Sequence, residues 1–110
     1  MSGETAQSDH LLAKIDRQEV KILTADILYI KSDDDYVRVY LKEGKPLLIH
    51  ITLKEIVKEL PADFTRVHRS YIIPVKKIEK IKNKKIQIGE KLIPIGKTFY
   101  EAFYGKYLKK

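Results

Sequence analysis

The sequence predicts a mainly β domain with one short internal helix and a C-terminal helix. Three observations lead there. Short apolar segments of period two recur from Leu11 onward, bounded by turn residues. Only two stretches, Thr52 to Leu60 and Thr98 to Leu108, combine helical spacing with an N-terminal capping signal. A length of 110 residues suits one domain, and 44% apolar against 34% charged residues is a globular balance.

The elements follow in order. Residues 1–10 (MSGETAQSDH) are small, polar and aperiodic, so a disordered leader or linker remnant is expected there, with the folded domain over residues 11–110. Ile27, Leu28 and Tyr29 begin one strand. Val37, Val39 and Leu41 alternate with Tyr36, Arg38 and Tyr40 in a second, half-buried one. Asp33-Asp34-Asp35 between them reads as a hairpin loop. Glu43-Gly44-Lys45-Pro46 is a turn leading into Leu47 to Ile51. In the internal helix, Thr52 and Glu55 form a T-x-x-E capping box, Ile51 is placed to staple Ile56, and Pro61 stops the run. Val67 to Ile73 then reads as one extended segment closed by Pro74. Ile78 with Ile81, Ile86 with Ile88, and Leu92 with Ile93 and Ile95 give three short strands, turning at Asn83-Lys84 and Gly89-Glu90. The last helix carries a second T-x-x-E pair, Thr98 and Glu101. The count is roughly seven strands.

Several function classes are excluded by residue type. The absence of cysteine removes disulfide scaffolds, thiolate catalysis and Cys-based zinc sites, and fits a reducing, cytoplasmic setting. No stretch nears the roughly 18–20 apolar residues of a membrane-crossing helix, so no membrane partner is expected. His10, His50 and His68 have no metal-ligand spacing. His68 and Ser70 share a face of an extended segment, but the strained G-x-S-x-G turn that exposes a catalytic serine is missing. The Asp33–Asp35 run lacks the alternating ligands and distal Glu of a calcium loop. Glycines are isolated, so no phosphate-cradling loop exists. The reading is of a protein that is not an enzyme and needs no cofactor and no metal.

The formal charge is +7. It is unevenly distributed: residues 1–64 hold 9 basic and 12 acidic side chains, residues 65–110 hold 13 and 3. A basic half favours an anionic partner, the alternative being a solvated basic face. Arg66-Val67-His68-Arg69-Ser70-Tyr71 would put Arg66, His68 and Ser70 on one side if fully extended, and arginine pairs bidentately with guanine or phosphate. Lys97 sits at the start of the last helix, where free amides and the helix dipole favour phosphate. Lys76, Lys77, Lys80, Lys82, Lys84 and Lys85 lie around hairpins, where solvated edge protection is the default. Phe99, Tyr100, Phe103, Tyr104 and Tyr107 follow helical spacing and suit docking of the helix better than base stacking. The RNA-recognition pattern of aromatics among basic strand residues is absent.

Ile27-Leu28-Tyr29-Ile30-Lys31, Thr52-Leu53, Phe64-Thr65-Arg66-Val67-His68-Arg69-Ser70-Tyr71-Ile72-Ile73 and Leu92-Ile93-Pro94-Ile95 together resemble the LytTR-type DNA-binding domain, the output module of bacterial two-component response regulators. The resemblance runs from Leu12 to Leu108, and F-x-R-V-H-R-S-Y is its most specific part. It implies an elongated β-β-β sandwich that reads successive major grooves of double-stranded DNA through loops, without a recognition helix. It implies three contact places: the loop from Asp33 to Tyr36, with Asp35 and Tyr36 as its candidates, Arg69 within the H-x-S segment, and Lys97 at the C-terminal helix. The sequence departs from the family at Pro74, where Asn is usual, and at Gly96, where Ser is common.

The resulting expectation is sequence-specific binding of duplex DNA for transcriptional regulation, through Asp35, Tyr36, Arg66, His68, Arg69, Ser70 and Lys97. Paired direct repeats are the expected target, with at most a weak homodimer on DNA and no receiver domain within this chain. The alternative is a small basic β domain that binds RNA or a protein partner.

Overall fold

The computed structural model describes residues 9–108. Ten strands occur among them: β1 (His10–Ile15), β2 (Gln18–Leu23), β3 (Ile27–Asp33), β4 (Tyr36–Leu41), β5 (Leu47–Ile49), β6 (Phe64–His68), β7 (Tyr71–Pro74), β8 (Lys80–Lys82), β9 (Lys85–Ile88) and β10 (Lys91–Pro94). Helix α1 (Leu53–Ile56) lies between β5 and β6, and α2 (Lys97–Phe103) follows β10 and continues as a π-helical turn over Tyr104–Leu108. Among the described residues no helix is long and apolar enough to cross a membrane.

The strands form three antiparallel sheets: β1-β2, β5-β4-β3-β7-β6 and β10-β9-β8. The five-stranded sheet is the middle layer of the expected β-β-β sandwich. One face buries Ile30, Val37, Val39, Ile49 and Ile72 against Leu11, Ala13 and Ile22 of the first hairpin and Leu53 and Ile56 of α1. The other buries Tyr29, Tyr71 and Ile73 against Ile86, Ile88 and Ile93 of the third sheet and Phe103 of α2. Strand β7 is covered on both faces, which is why Tyr71-Ile72-Ile73-Pro74 reads as a continuous apolar run instead of an alternation. Each such side chain contributes about 1.5–3 kcal/mol by leaving water.

Several expectations need correcting. The first hairpin, β1-β2, has no glycine or asparagine at its turn: Asp16 (φ 52°) and Arg17 (φ 66°) both adopt the left-handed region that a two-residue turn of this twist demands. Asp33 is the last residue of β3, so the loop of the next hairpin is Asp34-Asp35 alone. The segment read as one extended run from Val67 to Ile73 is two strands joined by a turn at Arg69-Ser70. Helix α1 keeps its capping box but is four residues long, passing into a 3₁₀ turn over Val57–Glu59. The second T-x-x-E pair is not a cap: the N-cap of α2 is Gly96, and Thr98 lies inside the helix. Of the leader expected over residues 1–10, residues 1–8 lie outside the described residues and His10 opens β1.

Candidate nucleic-acid interface

The register of the five-stranded sheet brings two hairpin turns to one end. Strand β3 pairs with β4 up to Asp33 opposite Tyr36, and with β7 through Ile30 opposite Ile72 and Lys31 opposite Tyr71. One residue further along, the Ser32 amide donates to the Ser70 carbonyl at 2.9 Å. The Asp34-Asp35 and Arg69-Ser70 turns are therefore neighbours. Strand β5 ends on the same side, with Val37 opposite Ile49, so His50 follows next to Tyr36.

The β3-β4 turn is stiffened from within. Asp34 takes φ 59°, a conformation that aspartate tolerates better than most side chains. Asp33 accepts a hydrogen bond from Arg38 Nη2 at 2.5 Å, which neutralises one of the three successive acids. Asp35 is exposed. The Tyr36 ring, 45% exposed, rests 5.1 Å from His50. Sequence reading weighed His50 only as a metal ligand, because the β5 register alone sets it beside this turn.

Side chains engage backbone groups at the second turn. A bulge between Arg66 and His68 buries Val67 completely and returns the chain so that His68 faces Tyr71. Arg66 Nη2 donates to the Arg69 carbonyl at 2.8 Å, and the Ser70 amide donates to His68 Nδ1 at 3.0 Å. The common face that full extension would give Arg66, His68 and Ser70 is not formed, because the bulge and turn break the alternation. Arg66 folds back instead: its guanidinium lies 5.8 Å over Phe99, and its Nε is buried without a partner. Arg69 alone of this group is exposed.

His68 acts on this turn in its neutral form. Burial, and then the nearby Arg69 charge, push its pKa below the ordinary histidine value. An Nδ1 that accepts the Ser70 amide leaves the ring proton of the neutral form on Nε2. The ring also meets Tyr71 edge-on at 5.6 Å.

Lys97 reaches the same region through its predecessor. The Gly96 amide donates to the Val67 carbonyl at 2.6 Å. A Cβ on residue 96 would stand 3.3 Å from the His68 Cα and 3.1 Å from the Phe99 ring, so glycine permits this approach. The exposed Lys97 opens α2 beside β6. The fold thus gathers Asp35, Tyr36, Arg69 and Lys97 on one edge, with Arg66, His68 and Ser70 bracing it from behind. Among the described residues no group of His, Asp and Glu side chains is arranged to hold a metal ion.

Comparison with known proteins agrees with this architecture. A family model described as the LytTr DNA-binding domain matches residues 17–107. The sensory transduction protein LytT of Bacillus subtilis is 32% identical over 120 aligned positions, covering 97% of this chain and 47% of that protein. An uncharacterized response regulatory protein of Vibrio cholerae is 32% identical over 69 residues, 58% of this chain and 26% of that protein. The chain thus spans about half, or less, of the curated relatives it matches. Among solved structures, the LytTr DNA-binding domain of a Bacillus cereus response regulator superposes with a TM-score of 0.74 at 20% identity, covering 89% of this chain and 95% of that one. At that identity the likeness speaks for the fold.

Proposed function

The chain belongs to the LytTr DNA-binding domain family, and from that premise we propose that it reads duplex DNA by sequence to regulate transcription, as the output module of a two-component response regulator. DNA binding in transcriptional regulation is the activity of the family; the sequence reading and its geometry are our inference. The observation that carries it is the shared edge of the two hairpin turns, tied by the Ser32–Ser70 hydrogen bond.

In this reading the Arg69 side chain leaves its rigid turn to meet a base edge, where arginine pairs bidentately with guanine. Asp35 and Tyr36 enter the neighbouring part of the groove, and Lys97 holds phosphate beside it. Arg66, His68 and Ser70 serve by positioning Arg69. No recognition helix takes part, since α2 packs through Phe103 against the second core. The role is non-catalytic, needs no cofactor and belongs in the cytoplasm. Direct repeats about two helical turns apart would put two copies on one face of the duplex. A weak homodimer would form only there, and phosphorylation control would come from a receiver outside the described residues.

Selection of bound sites from random duplex DNA tests this. The expected result is an enriched motif, repeated at that spacing and outcompeted poorly by single-stranded RNA. No enrichment, with RNA competing as well as duplex, would overturn it.

A further inference from the structure

The turn between β8 and β9 joins the same edge. The Ile95 amide donates to the Lys84 carbonyl at 2.9 Å, and the next amide, of Gly96, donates to Val67 of β6. Consecutive amides therefore tie the Asn83-Lys84 turn and β6 to one short segment that leads into Lys97. Lys84 Nζ lies 4.6 Å over the Tyr100 ring, and Lys84, Lys97 and Thr98 line one open concavity. From this turn a row of lysines runs back along the outer face of the third sheet. Lys80 and Lys82 of β8 and Lys85 of β9 are exposed, while Ile86 and Ile88 point inward to the core.

Two features set these lysines apart from ordinary solvated ones. Lys82 and Lys85 stand directly opposite each other across the strands, where like charges destabilise a sheet. The ion pairs found among the described residues involve His10, Arg38 and Lys42, so neither Lys82 nor Lys85 is ion-paired to a carboxylate. Lysine on an edge strand blocks pairing with another sheet, which accounts for Lys80 and Lys82 on β8. It does not account for Lys85, because β9 is the central strand of its sheet. A facing pair of like charges without an ion-pair partner among the described residues, beside a surface of the same sign, points to an anion that lies across it.

We propose that Lys82, Lys84 and Lys85 form a further contact to the phosphodiester backbone of duplex DNA, flanking the edge that carries Arg69 and Lys97. The contact rests on the DNA-binding reading above and extends its footprint. Lysine is a flexible point charge, so this surface adds affinity and salt dependence without reading bases.

The test is the Lys82→Gln/Lys85→Gln double variant of the whole chain. Both positions are exposed, and removal of the like-charge pair is expected to leave the thermal midpoint unchanged or raised. Affinity for the selected duplex and a scrambled duplex is measured across salt. The variant's plot of log affinity against log salt should be shallower by about 1.8 on both duplexes. The wild-type advantage then shrinks about twelvefold between about 50 and 200 mM salt. Lys85→Gln alone should give about half that change in slope. An unchanged slope, with wild type binding the selected duplex, overturns the contact and leaves the DNA reading intact. A loss confined to the selected duplex makes these lysines base readers and overturns the phosphate assignment. Wild type that binds neither duplex removes the DNA reading itself.

Discussion

The amide of Ser32 reaches the carbonyl of Ser70 at 2.9 Å, and this bond makes two sequence-distant turns one surface. It continues the β3-β7 ladder one step past Lys31 and Tyr71. The separation of Asp35 and Arg69 is thereby fixed by strand geometry, with no flexible loop between them.

Arg69 is the only exposed member of its turn, so Arg69→Ala should remove contact without disturbing packing. The expected loss is about 1–3 kcal/mol on the selected site, with preference relaxed at one base position. Lys85→Ala should weaken selected and scrambled duplexes about equally, lowering the salt slope by no more than about one. Titrations on both duplexes at several salt concentrations check this. An equal loss on both for Arg69→Ala would make it a phosphate clamp.

His68 gives the turn a pH dependence whose sign follows from its environment. Its folded pKa lies below the unfolded value, because burial and then Arg69 disfavour the imidazolium. Its contribution to stability is therefore present above about pH 6.5 and is lost as pH falls from there through the folded value. Protonation of Nδ1 also removes the acceptor for the Ser70 amide. Urea unfolding of wild type and His68→Ala between about pH 5 and 8 should show this loss in wild type only. Superimposable pH profiles would contradict it.

The two T-x-x-E pairs should behave differently. Thr52 Oγ1 accepts from the Glu55 amide at 3.1 Å, and the Thr52 amide donates to Glu55 Oε1 at 3.1 Å. Thr52→Ala should cost about 0.5–2 kcal/mol of folding stability. Thr98 lies within α2 and caps nothing, so Thr98→Ala should stay within about 0.5 kcal/mol. Denaturant midpoints with unchanged m values decide this, and equal losses would restore the second cap.

The layers were legible where one face is buried: Val37 and Val39 alternate, and both are fully buried. The β1-β2 hairpin was not, because Asp16-Arg17 carries a left-handed turn without the residues that usually announce one. The candidate edge was legible by residue type and not by direction. Arg66 and Arg69 are equally basic in the sequence, yet the bulge at Val67 sends one over the Phe99 ring and the other into solvent. Periodicity assumes an unbroken pleat, so it cannot supply that difference. Likewise, nothing local to Lys85 distinguishes an edge strand from a central one. Strand order is a long-range property.

The doubly covered strand β7 bears on how the chain finds its alignment. Ile72 belongs to one core and Ile73 to the other, so a slip by one residue sets an isoleucine in place of an isoleucine. Hydrophobic pattern, which elsewhere forbids such slips, discriminates poorly here. What remains to hold the frame is the turn before it: the bulge at Val67, the His68–Ser70 and Arg66–Arg69 bonds, and the Ser32–Ser70 bond. The same few residues thus aim Arg69 outward and index the doubly covered strand β7. Change at the Arg69-Ser70 turn is then constrained from inside the protein, since remodelling it also loosens the alignment of both cores.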